Sequence, residues 1–412
     1  MRNRWAADRK APPDADAAKL NGAPRLLVVG GEDHELRVPF LLELRKRGFE
    51  VAAAGTGDPG AFSKNEIAYF PYRFDRLVNP LADWQALKSL ERIIFDFRPD
   101  IVQSFDTKPG ILVPLAASRA GNARVVRTIN GLGWVFSSTS LLALALRPVF
   151  NVLHRVTAPL TSLTVFQNRS DQAYFERARM IGRGGSQLIP GSGVDPDRFA
   201  RTLAQGPAPE VLRQSLGLGH SEVVITVARL SRAKGIPALL EAAALVNKQR
   251  PGVRFLLVGS RETEGKMAVA QAELDRHAPY VKAIGQRTDV PALLRLSNAF
   301  AYPTELFEGV PRVLLEAALA GVPIVTTDMP GCADVVQDGA SGFVVPVGEP
   351  RLLADRIIGL LQHPSGARAM AERARAHVRQ EFNLDVTVDR YAGAYLKLAS
   401  TGVSPERGVA VA

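Results

Sequence analysis

RLLVVGG, residues 25–31, is an apolar run that ends in two glycines, and its pattern is repeated through the first half of the chain. A helical segment follows it, and FEVAAAG at 49–55 is predicted as the next strand. Continuous apolar strands that alternate with helices are typical of a parallel sheet covered on both faces. Further strands of this kind are predicted at IVQSF (101–105), RVVRTIN (124–130), LTVFQN (163–168) and within SQLIPGSGVD (186–195).

The same pattern begins again after AQGPAPE at 204–210, whose composition suits a linker. EVVITVARL (222–230) is predicted as the first strand of this second set. It is followed by VRFLLVGS (253–260), VKAIGQ (281–286), AFAYPT (299–304) and PIVTTD (323–328). We therefore predict an α/β fold with two Rossmann-like, doubly wound domains. These domains should face a central cleft, because ligands bind beyond the carboxyl ends of strands in such sheets.

A chain of 412 residues is too long for one ordinary core, which also favours two domains. The predicted division is a disordered tail (1–22), an N-terminal Rossmann-like domain (23–203), a linker (204–210), a C-terminal Rossmann-like domain (211–385) and a C-terminal helix (386–400). We expect this last helix to pack back on the N-terminal domain.

The cysteine content and the N-terminal sequence indicate the compartment. Cys332 is the one cysteine, so an intramolecular disulfide is excluded and a reducing compartment is favoured. The first 25 residues contain no apolar core long enough for a signal peptide. We therefore expect a cytoplasmic protein.

The net charge is +10, and no acidic residue lies between Asp106 and Asp171. Within that interval, the apolar segment 141–166 is interrupted by charged residues and prolines, so we expect it to lie on a membrane rather than cross it. A basic surface beside an apolar segment suits an anionic membrane face or a phosphate-bearing substrate; a solvated basic face without a partner is the alternative. Nucleic acid is disfavoured, because no aromatic-rich strand set or helix-turn-helix signature is present. The cations in this interval are Lys108, Arg119, Arg124, Arg127, Arg147, Arg155 and Arg169.

ELFEGVPRVLLEAALAGVP, residues 305–323, contains two candidate binding carboxylates. Pro311 suits the first turn of a helix, which places Glu308 and Gly309 in the preceding loop. Free amides at a helix N-terminus favour anionic or hydroxyl-rich ligands, and Glu308 can accept from sugar hydroxyls. Structural alternatives exist for both carboxylates. Glu316 could pair with Arg312 at i−4, and Glu308 could serve the helix dipole.

VARLSRAKG, residues 227–235, overlaps the end of the first strand in the second domain. Arg229 and Lys234 stand at or just beyond that end, where two cations can clamp a diphosphate. A basic surface loop is the alternative. The cation pair and the carboxylate pair both fall at strand ends of the same predicted domain, which favours a site.

These motifs resemble those of retaining glycosyltransferases with the GT-B architecture, of the family 4, E-x7-E type. Glu308 and Glu316 are spaced as in that motif, and ARLSRAKG is similar to the family's phosphate loop. The N-terminal half resembles the branch that acts on lipid-linked precursors of surface polysaccharides. Its landmarks are RLVNPLADWQALKSL, SFDTKPGILVPLAA, TINGLGWVF and VFQNRSDQAYF followed by LIPGSGVDPDRF.

The resemblance implies the reaction and its partners. It makes 23–203 the acceptor-binding domain and 211–385 the nucleotide-sugar-binding domain. A hexose or N-acetylhexosamine would pass from a nucleotide-sugar, with UDP commoner than GDP in this branch, to a saccharide on a polyprenyl diphosphate. No cofactor is expected. The enzyme would act at the cytoplasmic side of the inner membrane, and the basic interval between Asp106 and Asp171 would contact its anionic surface.

The resemblance also implies a role for each site residue. Arg229 and Lys234 would hold the donor diphosphate, Glu316 the ribose, and Glu308 the transferred sugar, beside the amides of Gly309 and Val310. Gly285 and Arg287 would lie near the base, and Gly30 and Gly31 would face the donor across the cleft. Lys108, Arg147 and Arg155 are predicted for the acceptor or membrane face.

Asn130, in TINGLGW, stands where many relatives have a histidine. An amide can hydrogen-bond a hydroxyl but cannot act as a general base. Front-face attack, in which the donor phosphate takes the acceptor proton, would need no imidazole there. Asp106 is a further candidate for the cleft, with capping of a helix as its alternative role. Together with Glu308, these two residues are the predicted catalytic group.

Two other classes of function were compatible with a cleft of this kind. A sugar-nucleotide epimerase of the same fold would retain the cations and carboxylates but would not need the apolar segment 141–166. A non-enzymatic sugar-binding protein would normally be secreted. No metal site is predicted, since the D-x-D spacings at 14–16 and 195–197 fall in a tail and in a turn.

Overall fold

The computed structural model describes residues 22–31, 34–73, 75 and 79–400, so all of the predicted tail except Gly22 lies outside the described residues. Within the described residues the chain forms two sheets, one of seven strands and one of six. Every recorded strand pairing is parallel. The predicted α/β architecture with two doubly wound sheets is confirmed.

The first sheet has the strand order β3-β2-β1-β4-β5-β6-β7. Its central strands are buried along their whole length, as continuous apolar runs predict. The strands are β1 (Arg25–Val29), β2 (Glu50–Gly55), β3 (Ala68–Pro71), β4 (Ile101–Phe105), β5 (Arg124–Ile129), β6 (Leu163–Phe166) and β7 (Ser186–Leu188).

Helices cover both faces of this sheet. Four of them begin at side-chain caps, which are Asn79, Ser140, Asn168 and Asp195. The helices are α1 (Val38–Lys46), α2 (Gly60–Ser63), α3 (Pro80–Phe97), α4 (Pro109–Ala120), α5 (Trp134–Ser137), α6 (Leu141–Thr157), α7 (Arg169–Arg177) and α8 (Pro196–Gln205), with 3₁₀ turns at His34–Arg37 and Ala158–Leu160.

The second sheet has the order β10-β9-β8-β11-β12-β13. Its strands are β8 (Glu222–Val227), β9 (Val253–Val258), β10 (Val281–Ala283), β11 (Ala299–Tyr302), β12 (Ile324–Thr327) and β13 (Phe343–Val345). The helices of this half are α9 (Pro209–Ser215), α10 (Ile236–Gln249), α11 (Gln271–Asp275), α12 (Val290–Leu296), α13 (Arg312–Ala320), α14 (Cys332–Val335), α15 (Pro350–Gln362) and α16 (Pro364–Glu381), with 3₁₀ turns at Arg232–Lys234 and Glu262–Met267.

The strand order reverses at one point in each sheet. β1 lies between β2 and β4, and β8 lies between β9 and β11, so consecutive connections leave these central strands in opposite directions. The crevice beyond the carboxyl ends at such a point is where doubly wound sheets bind ligands. The loops after β1, β4, β8 and β11 are therefore the ones that the fold positions for a site.

The last helix, α17 (Leu384–Ser400), returns to the N-terminal sheet. Its Tyr391 and Tyr395 are buried, and their hydroxyls bond Thr128 (3.0 Å) and Gln103 (2.9 Å). The segment predicted as a linker, 204–210, spans the end of α8 and the start of α9.

Candidate active site

A buried charged network lies at the carboxyl ends of β8 and β11. The ammonium of Lys234 contacts the Glu308 carboxylate and donates to the Tyr302 hydroxyl at 3.0 Å. Tyr302 in turn donates to Glu308 Oε2 at 2.8 Å. The Lys234 side chain is only 8% exposed, against 21% for Glu308. Burial, together with the adjacent Glu308, raises the pKa of Tyr302 well above its usual value, so its hydroxyl remains a donor.

Gly235 explains why the lysine loop can come so close to β11. Its φ is +68°, and a Cβ built there would stand 1.7 Å from the Pro303 carbonyl oxygen. A residue with a side chain would therefore push the loop away from the strand. The glycine in VARLSRAKG sets the separation between Lys234 and the end of β11.

The other predicted donor-binding residues are paired with nearby residues of opposite charge. Arg229 bonds Glu264 at 2.5 Å, and Arg287 holds Asp289 in a two-point contact at 2.8 and 2.6 Å. The sequence analysis did not single out these partners: Glu264 lies in the 3₁₀ turn Glu262–Met267, and Asp289 lies two residues after Arg287. Gly285 has a φ of +70°, and its carbonyl accepts from Gly259 N at 2.8 Å.

Glu316 adopts the structural alternative foreseen for it, because Arg312 Nε donates to its carboxylate at 3.0 Å. The side chain of Glu316 is 24% exposed, and that of Arg312 is 41% exposed. A half-exposed i,i+4 pair of this kind contributes about 0.3–0.5 kcal/mol, so the pairing leaves the carboxylate able to exchange partners.

The Gly309 and Val310 amides, which the resemblance places beside the transferred sugar, are bonded to the N-terminal domain in this structure. Gly309 N donates to the Asn130 carbonyl at 2.7 Å, and Val310 N donates to Gln167 Oε1 at 3.3 Å. The N-terminal domain takes these donors because the loop docks against it. Pro311 caps helix α13 rather than lying in its first turn. Among the described residues, the amides of Glu308, Arg312 and Val313 make no hydrogen bond.

Glycines make this close contact between the domains possible. A Cβ on Gly131, in the N-terminal domain, would stand 2.5 Å from the Phe307 carbonyl oxygen. On the other side of the loop, within the C-terminal domain, a Cβ on Gly331 would stand 1.7 Å from the Gly309 carbonyl oxygen. Both residues have positive φ, which a glycine adopts without strain. The loop 305–310 is thus fixed between the two domains.

On the N-terminal side, Asp106 joins three loops at the carboxyl ends of β1, β4 and β5. Its carboxylate accepts from Gly31 N at 3.1 Å and from Asn130 Nδ2 at 2.8 Å. Its φ is +73°, and helix α4 has Lys108 at its N-cap, so the helix-capping alternative for Asp106 is wrong. Gly30 lies beside it, with its carbonyl accepting from Tyr72 at 3.0 Å.

The Asn130 side chain has an acceptor left over. Its Oδ1 is buried and has no hydrogen-bond partner within the described part of the chain. A buried carbonyl oxygen without a donor is costly, by about 1–3 kcal/mol. A hydroxyl entering the cleft could satisfy it.

Three of the predicted basic residues have structural roles that the sequence did not reveal. Lys108 pairs with Asp83 at 2.6 Å. Arg155 donates to the Ala178 carbonyl at 3.2 and 2.9 Å. Arg147 donates through Nε and Nη2 to the carbonyls of three residues, Val135, Phe136 and Ser138, each at 3.1 Å.

Arg127 corrects the interpretation of the basic interval as one continuous surface. It is fully buried, contacts the Met180 carbonyl and lies 3.2 Å from the Nδ1 of buried His154. Burial lowers the pKa of Arg127 to about 10, and burial next to this cation lowers that of His154 well below its usual value. The imidazole is therefore neutral and can accept from the guanidinium.

Helix α6 exposes a wide apolar face. Its described neighbours cover one side, where Phe150 packs against Phe136 and Phe175. By length and composition, Leu141–Leu160 is the one stretch of the described residues that could span a membrane, and 28% of it is buried. The exposed apolar residues of this face are Leu141, Leu142, Leu144, Val149, Val152, Leu153, Val156 and Leu160.

A groove of 550 Å³ opens beside this face. Arg147 and Arg155 line it, together with Phe136, Asn151 and Tyr174. Tyr174 donates to Asn151 at 2.8 Å. The groove therefore combines two cations with aromatic walls at the border of an apolar surface.

Tyr302, Gln167 and Ser137 are site residues that the sequence analysis missed. Tyr302 and Gln167 lie near the ends of the predicted strands AFAYPT and LTVFQN, which was a usable signal for a position at the cleft. Ser137 carries no such signal. The partners of Gln167 and Ser137 lie 143 and 170 residues further along the chain, so the sequence does not reveal these contacts. Their roles arise only from the docking of the two domains.

Neither metal nor thiol chemistry is indicated by the described residues. They contain no group of three or more His, Cys, Asp or Glu side chains that could hold a metal ion. Asp195, in the second D-x-D spacing, caps α8. The thiol of Cys332 is buried, and burial raises its pKa to about 12.

Comparison with known proteins finds two family models that match successive parts of the chain. The model described as "Glycosyltransferase Family 4" matches residues 40–198, and that described as "Glycosyl transferases group 1" matches residues 210–377.

Two curated relatives illustrate the similarity. The *Escherichia coli* UDP-Gal:alpha-D-GlcNAc-diphosphoundecaprenol alpha-1,3-galactosyltransferase is 26% identical over 80% of this chain and 84% of its own. The *Mycolicibacterium smegmatis* GDP-mannose-dependent alpha-(1-6)-phosphatidylinositol monomannoside mannosyltransferase is 30% identical over 65% of this chain and 69% of its own.

Among solved structures, Anabaena Alr3699/HepE in complex with UDP superposes with a TM-score of 0.71. The sequences are 21% identical, and the match covers 90% of this chain and all of that one. The epimerase and the non-enzymatic sugar-binding protein that the sequence left open are superseded by these matches. The chain belongs to the family 4, group 1 glycosyltransferases and has their GT-B fold.

Proposed function

We propose that this glycosyltransferase moves a hexose or N-acetylhexosamine from a UDP-sugar to a saccharide carried on a polyprenyl diphosphate, with retention of configuration, in surface polysaccharide synthesis. The observation that carries the proposal is the Lys234–Tyr302–Glu308 network at the strand ends of one domain. It is joined through Gly309 to Asn130 of the other domain. A buried ammonium and a carboxylate side by side suit a ligand that has both phosphates and hydroxyls.

The donor would enter by exchanging partners within this network. A diphosphate competes for Arg229 and Lys234, which now bond Glu264 and Glu308. Once Lys234 turns to the phosphate, Glu308 can accept from the hydroxyls of the sugar. Glu316 would exchange Arg312 for the ribose, Gly285 and Arg287 would border the base, and Gly30 and Gly31 would close the site from the opposite domain.

The transfer step needs no side chain as a general base. The bond between the anomeric carbon and the leaving phosphate oxygen breaks, and its electron pair goes to the diphosphate. The acceptor hydroxyl oxygen bonds that carbon on the same face, and its proton passes to the departing phosphate oxygen. Lys234 and Arg229 offset the charge that develops on the diphosphate. Asn130 Oδ1 and Asp106 would orient the hydroxyl, since Oδ1 has a vacant acceptor position among the described residues.

UDP is the proposed nucleotide. The *E. coli* relative is named for UDP-galactose, and Alr3699/HepE has been solved with UDP. The *M. smegmatis* relative is named for GDP-mannose, so GDP is the competing choice. Turnover with UDP-sugars and with GDP-mannose distinguishes the two nucleotides.

The acceptor is proposed to approach along α6 from the cytoplasmic face of the inner membrane. The exposed apolar face of α6 suits the polyprenyl chain or the lipid surface, and the groove lined by Arg147 and Arg155 suits an anionic phosphate. Within the described residues each guanidinium has an Nη1 that makes no hydrogen bond. The acid-free interval around them adds to the attraction, with Lys108 on the acceptor side.

A donor and acceptor panel tests the proposal. Wild type is assayed with UDP-glucose, UDP-galactose, the two UDP-N-acetylhexosamines and GDP-mannose, each with an undecaprenyl-diphosphate-linked sugar and with a methyl glycoside. We expect one UDP-sugar and the lipid-linked acceptor to give the highest turnover, with an α-linked product. Glu308→Gln should lower turnover about a hundredfold, because the sugar loses a charged acceptor.

Glu222→Gln is the matched control, since Glu222 pairs with Arg250 at the amino end of β8, away from the carboxyl ends where Glu308 lies. It should retain wild-type turnover. Equal losses in both variants would reject the assignment of Glu308, and turnover with GDP-mannose alone would reject UDP.

A further inference from the structure

Helix α5 (Trp134–Ser137) lies between the acceptor face and the loop that carries Glu308. None of its four residues is fully buried. Phe136 packs against Phe150 and Tyr174, and polar contacts hold the backbone of the turn. Arg147, from α6, bonds the carbonyls of Val135, Phe136 and Ser138 at the C-terminal end of this turn. A guanidinium suits these carbonyls, because a helix C-terminus leaves them without partners.

The other side of the turn contacts the loop 305–310, which carries Glu308. Phe307 N donates to Ser137 Oγ at 2.7 Å, and Gly133 N donates to the Phe307 carbonyl at 2.8 Å. Ser137 Oγ also donates to the Gly133 carbonyl at 3.0 Å, which fixes the direction of its lone pairs. Phe307 therefore has both of its backbone groups held by the N-terminal domain.

Phe307 immediately precedes Glu308, whose amide makes no hydrogen bond among the described residues. The Glu308 side chain is held by Lys234 and Tyr302, which are the groups that a donor would displace. With a donor bound, the backbone contacts of Phe307 would help to keep Glu308 in register. They act together with the bonds from Gly309 N to the Asn130 carbonyl and from Asn168 Nδ2 to the Glu308 carbonyl. Hydrogen bonds of this kind set the position of a binding group without touching the ligand.

We propose that Ser137 is a positioning residue for Glu308 and that Arg147 braces it, so that the acceptor face on α6 and the sugar-binding loop act as one unit. The inference rests on the proposed function. It adds that correct placement of the donor sugar depends on a hydroxyl and a guanidinium of the opposite domain. Neither group contacts the nucleotide.

The test compares the binding of UDP with that of the preferred UDP-sugar by calorimetry, in wild type and in Ser137→Ala. The Phe307 amide loses its acceptor in this variant. We expect the dissociation constant of the UDP-sugar and the kcat each to worsen about tenfold. The dissociation constant of UDP should stay within about twofold of the wild-type value. Ser137→Thr, which retains the hydroxyl, should restore the wild-type ratio between the dissociation constants of UDP and of the UDP-sugar.

Two matched controls separate positioning from folding. Ser89→Ala removes a hydroxyl that likewise bonds the carbonyl four residues earlier, in α3. Arg147→Ala should reproduce the loss of sugar affinity. Arg213→Ala removes another arginine that caps three carbonyls, those of Gly219, Ser221 and Leu296, and should not reproduce that loss.

The outcomes distinguish this inference from the proposed function. If wild type binds a UDP-sugar more tightly than UDP and Ser137→Ala keeps that preference, the positioning role is rejected while the proposed function stands. A wild type that binds no UDP-sugar would overturn both. An equal weakening of UDP and UDP-sugar in Ser137→Ala would also reject the inference, since it would indicate a general loss of structure.

Discussion

The two sides of the cleft hold their charged groups in opposite ways. On the C-terminal side, the cations Arg229, Lys234 and Arg287 are each paired with a carboxylate. On the N-terminal side Lys108 is paired with Asp83, but the two cations next to the exposed apolar helix, Arg147 and Arg155, bond only backbone carbonyls among the described residues.

The contrast indicates how each side would recognise its ligand. On the paired side each cation is already neutralised by a carboxylate. A donor diphosphate must replace that carboxylate to bind, so binding depends on how well the donor fits. An unpaired side retains an excess of positive charge, so an anionic lipid is attracted before any close contact forms.

Breaking the buried pair on the C-terminal side should have the largest effect. Lys234→Met leaves Glu308 partly buried with only Tyr302 as a donor. We expect the free energy of unfolding to fall by about 3 kcal/mol in urea titrations. The kcat/KM for the UDP-sugar should fall about a thousandfold, because the leaving diphosphate loses its ammonium.

The double variant Lys234→Met/Glu308→Gln sharpens this result. It should recover most of the stability, since no buried charge is left alone, but none of the activity. Arg250→Met, which breaks the more exposed pair with Glu222, should cost less than about 1 kcal/mol. A double variant as unstable as the single one would contradict the pairing.

On the N-terminal side, the prediction concerns binding without stability. Leu142→Gln together with Val156→Gln replaces two side chains that are 63% and 58% exposed. Loss of about 3 kcal/mol of apolar contact with lipid should lower the partition into anionic vesicles about a hundredfold in sedimentation assays. Turnover of a water-soluble acceptor and the melting temperature should not change.

Val211→Gln with Leu396→Gln is the control, because those residues are similarly exposed, at 58% and 49%, but lie outside α6. Equal loss of vesicle binding in both double variants would mean that the α6 face is not the membrane contact.

How far the sequence predicted this contrast depends on the range of each interaction. The apolar runs and glycines placed Arg229, Lys234, Asp106 and Asn130 at strand ends correctly, because strand position is a local property. The contact between Lys234 and Glu308 spans 74 residues and was not predicted. It depends on which strands are neighbours, and that order is set by the whole sheet.

The missed features have physical reasons as well. Arg127 was assigned to a basic surface because charge predicts exposure, yet polar acceptors from β6, α6 and the turn after α7 satisfy it inside the domain. The edge strands β3 and β13 were not predicted, because they are short and lack a long apolar run. The amides of Gly309 and Val310 donate to acceptors of the N-terminal domain, Asn130 and Gln167. These bonds form only when the two domains dock, so the sequence around 309–310 could not predict them.

A buried carboxyl in the N-terminal domain, that of Asp171 in the first turn of α7, gives a pH-dependent prediction. Asp171 is fully buried, bonds Asn168 and has an Oδ1 without a partner among the described residues. Burial raises the pKa of Asp171 from 3.8 to about 6. The folded state therefore binds this proton more tightly than the unfolded state, and stability is lost as the pH rises from about 4 to 6.

Asp171→Asn should remove this loss. We expect the variant to gain about 2 kcal/mol over wild type in urea titrations at pH 7.5 and to show little gain at pH 3.5. Asp195→Asn, at an exposed helix cap, is the control and should show no such pH-dependent gain. A constant difference between Asp171→Asn and wild type at both pH values would reject the buried, protonated carboxyl.

The smallest effect is expected where a pair on the C-terminal side is weakest. Glu316→Gln breaks a half-exposed ion pair with Arg312, so the free energy of unfolding should change by less than about 0.5 kcal/mol. If the carboxylate also binds the ribose, the KM for the UDP-sugar should rise about tenfold while kcat is retained, because that contact is the same in the ground and transition states. Glu91→Gln, which breaks pairs with Lys88 and Arg119 on α3 and α4, should change neither parameter. Unchanged KM in Glu316→Gln would mean that Glu316 serves only Arg312, and the paired side would then bind its donor through Arg229, Lys234 and Glu308 alone.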